Sequence, residues 1–266
     1  MSRVHRQRAA LDDLYARFNQ RAYVYPDPLE TLYPYEAVRD REIVGLIAAM
    51  LAFGGVGLIL RSIARVLEPM ENRPRDFLDT VTRARLRRMY KGFRYRWVDG
   101  DDLAAFLWAI RETVRLYGSL ENAFTPLHET HEEPAMNRLT GLITRLRKCG
   151  GCGPNPLMSD PDAGSACKRL HLFLRWMIRK DCVDPGGWTV LTPAQCIVPV
   201  DRHMHRIALD MRLTRRKQAD LKTALEVTAG FRRIRPDDPV RYDFALTRFG
   251  IRKEGAREAF VTRYRK

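Results

Sequence analysis

Arg41-Glu42-Ile43-Val44-Gly45-Leu46-Ile47-Ala48-Ala49-Met50-Leu51 decides the fold class. Ile43, Leu46, Ile47, Met50 and Leu51 recur at spacings of three and four, which lines one side of a helix and not one face of a strand. Asp40 is placed to cap the start of that helix, and Gly54-Gly55 and Gly57 break the pattern or allow close packing. The same spacing recurs in Leu103, Phe106, Leu107 and Ile110, in Leu139, Leu142, Ile143 and Leu146, and in Leu170, Phe173, Leu174, Met177 and Ile178. Leu221, Leu225 and Val227 suggest a further helix. Alternating patterns are scarce, so the chain reads as all-α.

Three stretches interrupt the helical pattern. Cys149 to Gly164 holds four glycines and three prolines, and marks a lobe boundary. Cys182 to Pro199 contains Asp184-Pro185-Gly186-Gly187 and reads as an inserted loop. Tyr23 to Pro34, proline-rich and aromatic, reads as an extended link. The expected organisation is one helical lobe over 40–150 and a second built from 1–39 plus 151–266.

At 266 residues the chain can bury a substantial core. Lys and Arg total 47 against 32 acidic residues, a formal charge of +15. From Arg202 to Lys266, 18 basic residues face 8 acidic ones. Such an excess attracts polyanions, nucleic acid above all, although a solvated basic surface has the same composition. No window has the roughly 18 apolar residues that a membrane span needs, and the basic N-terminus has no apolar run after it, so no membrane and no secretory signal are expected. Five irregularly spaced cysteines do not form an extracellular disulfide framework, which points to a reducing cytoplasm. Cys149-Gly150-Gly151-Cys152 lacks a second pair of ligands, so no metal is expected. His128 and His131 flank acidic residues in a surface loop and have no expected role. The run Arg215-Arg216-Lys217 reads as phosphate-contacting or simply solvated.

The chemistry is expected in two short segments. Ile197-Val198-Pro199-Val200-Asp201-Arg202-His203-Met204 sets a carboxylate against an apolar run, with an imidazole two residues on. Lys168, in Gly164-Ser165-Ala166-Cys167-Lys168-Arg169, lies 33 residues upstream of Asp201. A helix beginning around Ser165 would put Lys168 in its first turn, where the dipole disfavours a cation and so favours the neutral amine that a nucleophile requires. Lys168 could equally be a surface lysine. Asp201 could be a helix cap, a role compatible with catalysis, and His203 could meet a phosphate or lie on a solvated helix face. In a basic chain, a lysine and an aspartate in this order suggest attack on the sugar carbon that holds a damaged base.

Val198-Pro199-Val200-Asp201-Arg202-His203-Met204 closely resembles the aspartate motif of the helix-hairpin-helix DNA glycosylases, in particular the 8-oxoguanine branch with its Val-Pro-Val-Asp-x-His-Met pattern. The chain as a whole resembles a bacterial group of unassigned function carrying Ser-Ala-Cys-Lys-Arg, Pro-x-Asp-x-His and Tyr-Asp-Phe-Ala-Leu, here Ser165 to Arg169, Pro199 to His203 and Tyr242 to Leu246. The resemblance implies two helical lobes with a cleft between them, Lys168 as Schiff-base nucleophile, Asp201 as the catalytic acidic residue and His203 as a DNA-backbone contact. The usual hairpin reads Leu-Pro-Gly-Val-Gly-x-Lys; here Gly164 precedes Lys168 by four, and the connection to Asp201 is lengthened, as in the archaeal 8-oxoguanine enzymes.

The expected activity is therefore that of a DNA glycosylase with abasic-site lyase chemistry, a base-excision-repair enzyme acting on an oxidised purine. It needs no cofactor, works as a monomer on double-stranded DNA with a damaged base, and is cytoplasmic at the nucleoid. Gly164, Ser165, Arg169, Arg202 and His203 are the expected DNA contacts. Trp188, in the loop between Lys168 and Asp201, and Phe53 are the expected base-pocket residues, with Trp97 and Trp176 as further candidates. The alternatives are a non-catalytic helical protein that binds the backbone of DNA or RNA, and a monofunctional glycosylase in which Asp201 activates water.

Overall fold

A computed structural model describes residues 2–128, 133–151, 153–251 and 257–265. Among them the chain is predominantly helical, with one two-stranded hairpin. The helices are α1 (Arg3–Phe18), α2 (Val38–Met50), α3 (Val56–Leu67), α4 (Pro74–Thr80), α5 (Arg83–Tyr90), α6 (Gly100–Tyr117), α7 (Leu120–Ala123), α8 (Pro134–Gly150), α9 (Lys168–Ile178), α10 (Arg202–Asp210), α11 (Leu221–Ile234), α12 (Asp243–Ile251) and α13 (Arg257–Arg265). The hairpin pairs β1 (Arg94–Tyr95) with β2 (Val98–Asp99) antiparallel. None of these helices is long and apolar enough to cross a membrane.

The chain forms two compact units, one of residues 26–163 and one of residues 1–25 with 164–266. These boundaries differ from 39/40 and 150/151, for two physical reasons. Residues 28–32 are tied down: Asp27 accepts the Leu29 N–H, a 3₁₀ turn follows, and Leu29 and Leu32 are fully buried. Tyr23 to Pro34 is thus a pair of 3₁₀ turns and not an extended link. Beyond α8, Asn155 donates to the Asp102 carbonyl and Arg147 to the Met158 carbonyl, which holds 151–163 to the same unit.

In the contiguous unit, α6 packs against α5 and α8. Leu103, Phe106, Leu107 and Ile110 are fully buried, as are Leu139, Leu142 and Leu146. Two carboxylates of α2 cap other helices. Asp40 does not cap α2, whose N-cap is Ala37; its Oδ1 accepts the Arg75 N–H at 3.0 Å, in the first turn of α4. Buried Glu42 accepts the N–H groups of Leu120 and Glu121 at the head of α7. Both place negative charge where free backbone donors gather.

In the other unit, α1 packs through Leu11, Leu14 and Phe18 against α11, α12 and α13. The α9 core comprises Leu170, Phe173, Leu174 and Met177. Buried Tyr242 donates to Asp12 at 2.7 Å, and Tyr15 donates to Asp181 at 2.8 Å.

Gly100 is the tightest approach in the helical packing, because a Cβ there would sit 2.1 Å from the Tyr90 carbonyl oxygen. Gly100→Ala is expected to destabilise the protein by about 1–3 kcal/mol through overpacking, read as a lowered midpoint in urea unfolding.

Candidate active site

The segment before Asp201 is buried from Cys196 to Val200. The Val198 N–H donates to Thr228 Oγ1 at 3.0 Å, and that hydroxyl donates to the Ala224 carbonyl, so the apolar run is pinned to α11. This anchoring delivers Asp201 to the head of α10 as its N-cap, with φ −102° and ψ −174°. Asp201 Oδ1 accepts the His203 and Met204 N–H groups, both at 2.8 Å. Met204, Ile207 and Ala208 bury the inner face of the helix.

Lys168 is the first residue of α9. The helix starts there and not near Ser165, because Ser165 forms an antiparallel bridge with Asp220 and the Gly164 carbonyl accepts the Leu221 N–H. Gly164 (φ +80°) and Cys167 (φ 44°) both take left-handed conformations around this corner. Asp220 caps α11 in turn, and the Arg216 guanidinium beside it, followed by the Thr223 N–H, holds its carboxyl well below the usual range. Arg216 of the basic run is therefore part of the corner's framework.

These two helix heads bring Lys168 Nζ to 3.6 Å from Asp201 Oδ2. One carboxylate oxygen binds the start of α10 while the other faces the lysine, so capping and charge pairing coexist. The Lys168 side chain is 33% exposed and that of Asp201 23%, so the pair is reachable from solvent.

Behind the pair lies a group of charges that sequence reasoning missed. Lys168, His171, Arg175 and Arg179 follow one another at spacings of three and four along α9 and its C-cap. Arg175 pairs with Asp184 at 3.2 Å and with Asp243. Arg179 pairs with Asp181 at 2.8 Å, with Asp238 at 3.0 Å and with Asp184. Burial lifts the Asp243 carboxyl to about 6, against the pull of Arg175 and with the help of nearby Asp201. Burial also pushes His171 down to about 3, leaving a neutral imidazole whose ring nitrogens have no partner among the described residues. The signal available in the sequence was the basic residues on an otherwise apolar helical stripe.

The remaining expected site residues divide. Gly164 and Ser165 are exposed at the corner, and open space lies above the Gly164 Cα. Arg202 is exposed and His203 half-buried in the first turn of α10, next to Asp201. Arg169 is half-buried, and burial lowers its pKa. Trp188 is a correction. It is 3% exposed, its ring stands edge-on to Phe173 at 5.0 Å, and its backbone N–H donates to the Met177 carbonyl, so it is core and unavailable to a flipped base. Trp176 is likewise buried. Phe53 belongs to the contiguous unit, where it stacks on Trp97 at 4.7 Å. His128 is exposed. Cys149 is half-buried at the end of α8, and Cys152 and His131 lie outside the described residues.

A family model described as "Protein of unknown function (DUF2400)" matches residues 27–252, and the chain belongs to that family. No curated protein and no solved structure matches it.

Two measurements check this geometry. Asp201→Asn keeps an acceptor for the α10 N–H groups and is expected to leave stability almost unchanged, whereas Asp201→Ala loses the cap and costs about 1 kcal/mol. The Lys168–Asp201 coupling in a double-mutant cycle is expected below about 1 kcal/mol, since both side chains are partly solvated. For Asp243, whose folded pKa is raised, the native state holds the proton that the unfolded chain releases first. Its contribution to stability is therefore present at low pH and lost as pH rises from about 4 to about 6. Across that window the stability of Asp243→Asn is expected to gain on the wild type in parallel denaturation series.

Proposed function

We propose that this chain is a DNA glycosylase of the helix-hairpin-helix type with lyase activity, that its two units are the two lobes of that fold, and that it removes an oxidised purine, 8-oxoguanine first, from duplex DNA. The observation that carries the reading is the 3.6 Å approach of Lys168 to Asp201, residues far apart in sequence, at the half-buried, solvent-reachable heads of two helices. The Asp201 motif and the basic charge of the chain support it.

At rest, the Lys168 amine faces the free carboxylate oxygen of Asp201 at 3.6 Å. A nucleotide flipped out of the duplex brings its sugar to the pair, and the lysine passes a proton to water, which leaves Asp201 ionised. The neutral amine then attacks C1′. As the Nζ–C1′ bond forms, the bond from C1′ to the base breaks, and the base leaves with the electron pair and takes up a proton. Asp201 stabilises the positive charge that builds on the sugar. Transfer of an amine proton to the ring oxygen, as the bond from C1′ to that oxygen breaks, opens the sugar and gives a protonated imine. Removal of a C2′ proton then expels the 3′ phosphate and nicks the strand. Exposed Arg202 and half-buried His203 flank the site where the phosphodiester backbone would lie. In this reading the enzyme acts as a monomer at the nucleoid.

Borohydride trapping on a duplex containing 8-oxoguanine tests this. The wild type is expected to form a covalent adduct, Lys168→Gln to form none, and Asp201→Asn to be slowed by about a hundredfold or more. Base release without an adduct would assign the chemistry to Asp201 and water. Binding without release on a wide lesion panel would leave a non-catalytic nucleic-acid-binding protein.

A further inference from the structure

The contiguous unit carries a surface that the Lys168–Asp201 chemistry does not use. Residues 83–96 hold seven basic residues and no acidic one, and Trp97 follows directly. Arg85, Arg87, Arg88, Lys91, Arg94 and Arg96 are exposed, and among the described residues none of them is paired with a carboxylate. The nearby Asp99 and Asp102 are engaged in capping α6, each accepting the other's backbone N–H.

At the end of this strip the β1–β2 turn consists of Arg96 and Trp97, since Tyr95 pairs with Val98. Two-residue hairpin turns favour Asn and Gly, because they need left-handed backbone. Here Arg96 takes φ 53°, and the turn lifts a tryptophan to 58% exposure. A costly turn that displays a large aromatic ring is a candidate for function. The ring is also braced. Trp97 lies nearly parallel to Phe53 (14°, 4.7 Å), Phe53 meets Tyr95 at 4.8 Å, and the Tyr95 hydroxyl donates to the Phe53 carbonyl. The Arg96 guanidinium sits over Trp97 at 5.0 Å. Gly54 lets the hairpin close on this loop, because a Cβ there would stand 3.0 Å from the Tyr95 hydroxyl.

We propose that α5 and the β1–β2 hairpin form a binding surface for single-stranded nucleic acid, in which the α5 arginines follow the phosphates and an unpaired base stacks on the Phe53–Trp97 ladder in place of the Arg96 guanidinium. A cationic track ending on an aromatic platform is the arrangement that holds a strand without reading its sequence. The nearly parallel rings favour a base over a lipid surface, which would take up separately projecting apolar side chains.

Fluorescence anisotropy with lesion-free strands over a salt series tests this. Wild type is expected to bind oligothymidylate more tightly than a strand of equal length made of abasic sugar phosphates. Trp97→Ala is expected to weaken oligothymidylate binding about tenfold and leave the abasic strand unaffected. Arg87→Ala with Arg88→Ala is expected to weaken both strands alike and to reduce the salt slope by about 0.7 per residue. Trp97→Phe, which keeps a stacking ring, is expected to retain most of the base preference, so a folding defect in the alanine variant would not leave the question open. Oligouridylate alongside oligothymidylate separates RNA from DNA as the source of the strand. Equal binding of base-bearing and abasic strands by wild type, or a base preference that survives Trp97→Ala, overturns the proposal. So does binding to phosphatidylserine vesicles that depends on Trp97 while the strands do not bind. Because no lesion is present, this surface and the excision chemistry can fail separately.

Discussion

Two guanidiniums and four carboxylates lie together in the unit that contains α9, and the placement of its helices depends on their satisfying one another. Asp184 is fully buried, and Arg175, Arg179 and Asp243 are nearly so. Each such ion costs several kcal/mol to desolvate, so the group persists only with nearly every partner in place. The partners come from α9, from the turn at 181–184, from Asp238 and from the head of α12. This pins α9 in rotation and along its axis, and Lys168 stands two turns before Arg175. With carboxylates in excess, burial pushes both the Asp184 and the Asp243 carboxyls upward, against the pull of the arginines.

Asp201 receives the other half of the arrangement. The apolar run before it is held by Thr228, and α10 behind it packs on α12. Its two oxygens are divided between backbone donors and Lys168. A carboxylate fixed by two short bonds from one oxygen has little rotational freedom left, so the other oxygen keeps a constant direction.

The apolar spacings of α2, α6, α8 and α9 were plain in the sequence, because each helix buries one continuous stripe. On α11 the spacing named the helix and one core residue, Val227, but only part of its face: Leu221 and Leu225 are half-buried, and Thr223, Ala224 and Thr228 also point inward. The approach of Lys168 to Asp201 was not legible from spacing, since it depends on how two helix heads meet, and only the likeness of the motif pointed to it. Trp188 was misread because Asp184-Pro185-Gly186-Gly187 has the composition of a solvated loop. The backbone of that loop instead binds the last carbonyls of α9, Gly186 N–H to Trp176 and Trp188 N–H to Met177, and this carries the indole inward. Arg175 and Arg179 look like surface residues in one dimension, because their partners are spread from Asp181 to Asp243.

The unit that holds the Lys168–Asp201 pair is interrupted in sequence by the other one. Its first helix, α1, packs on α11, α12 and α13, near the opposite end of the chain. During synthesis, residues 26–163 can assemble as soon as they leave the ribosome, whereas α1, made before them, must wait with Leu11 and Phe18 uncovered until α11, α12 and α13 follow. Domains generally fold as units in the order they are made, and this insertion reverses that order for the unit that holds the Lys168–Asp201 pair. The unit that carries the pair at the heads of α9 and α10 is therefore closed only after α11, α12 and α13 have been made, and α1 is the segment most in need of shelter before then.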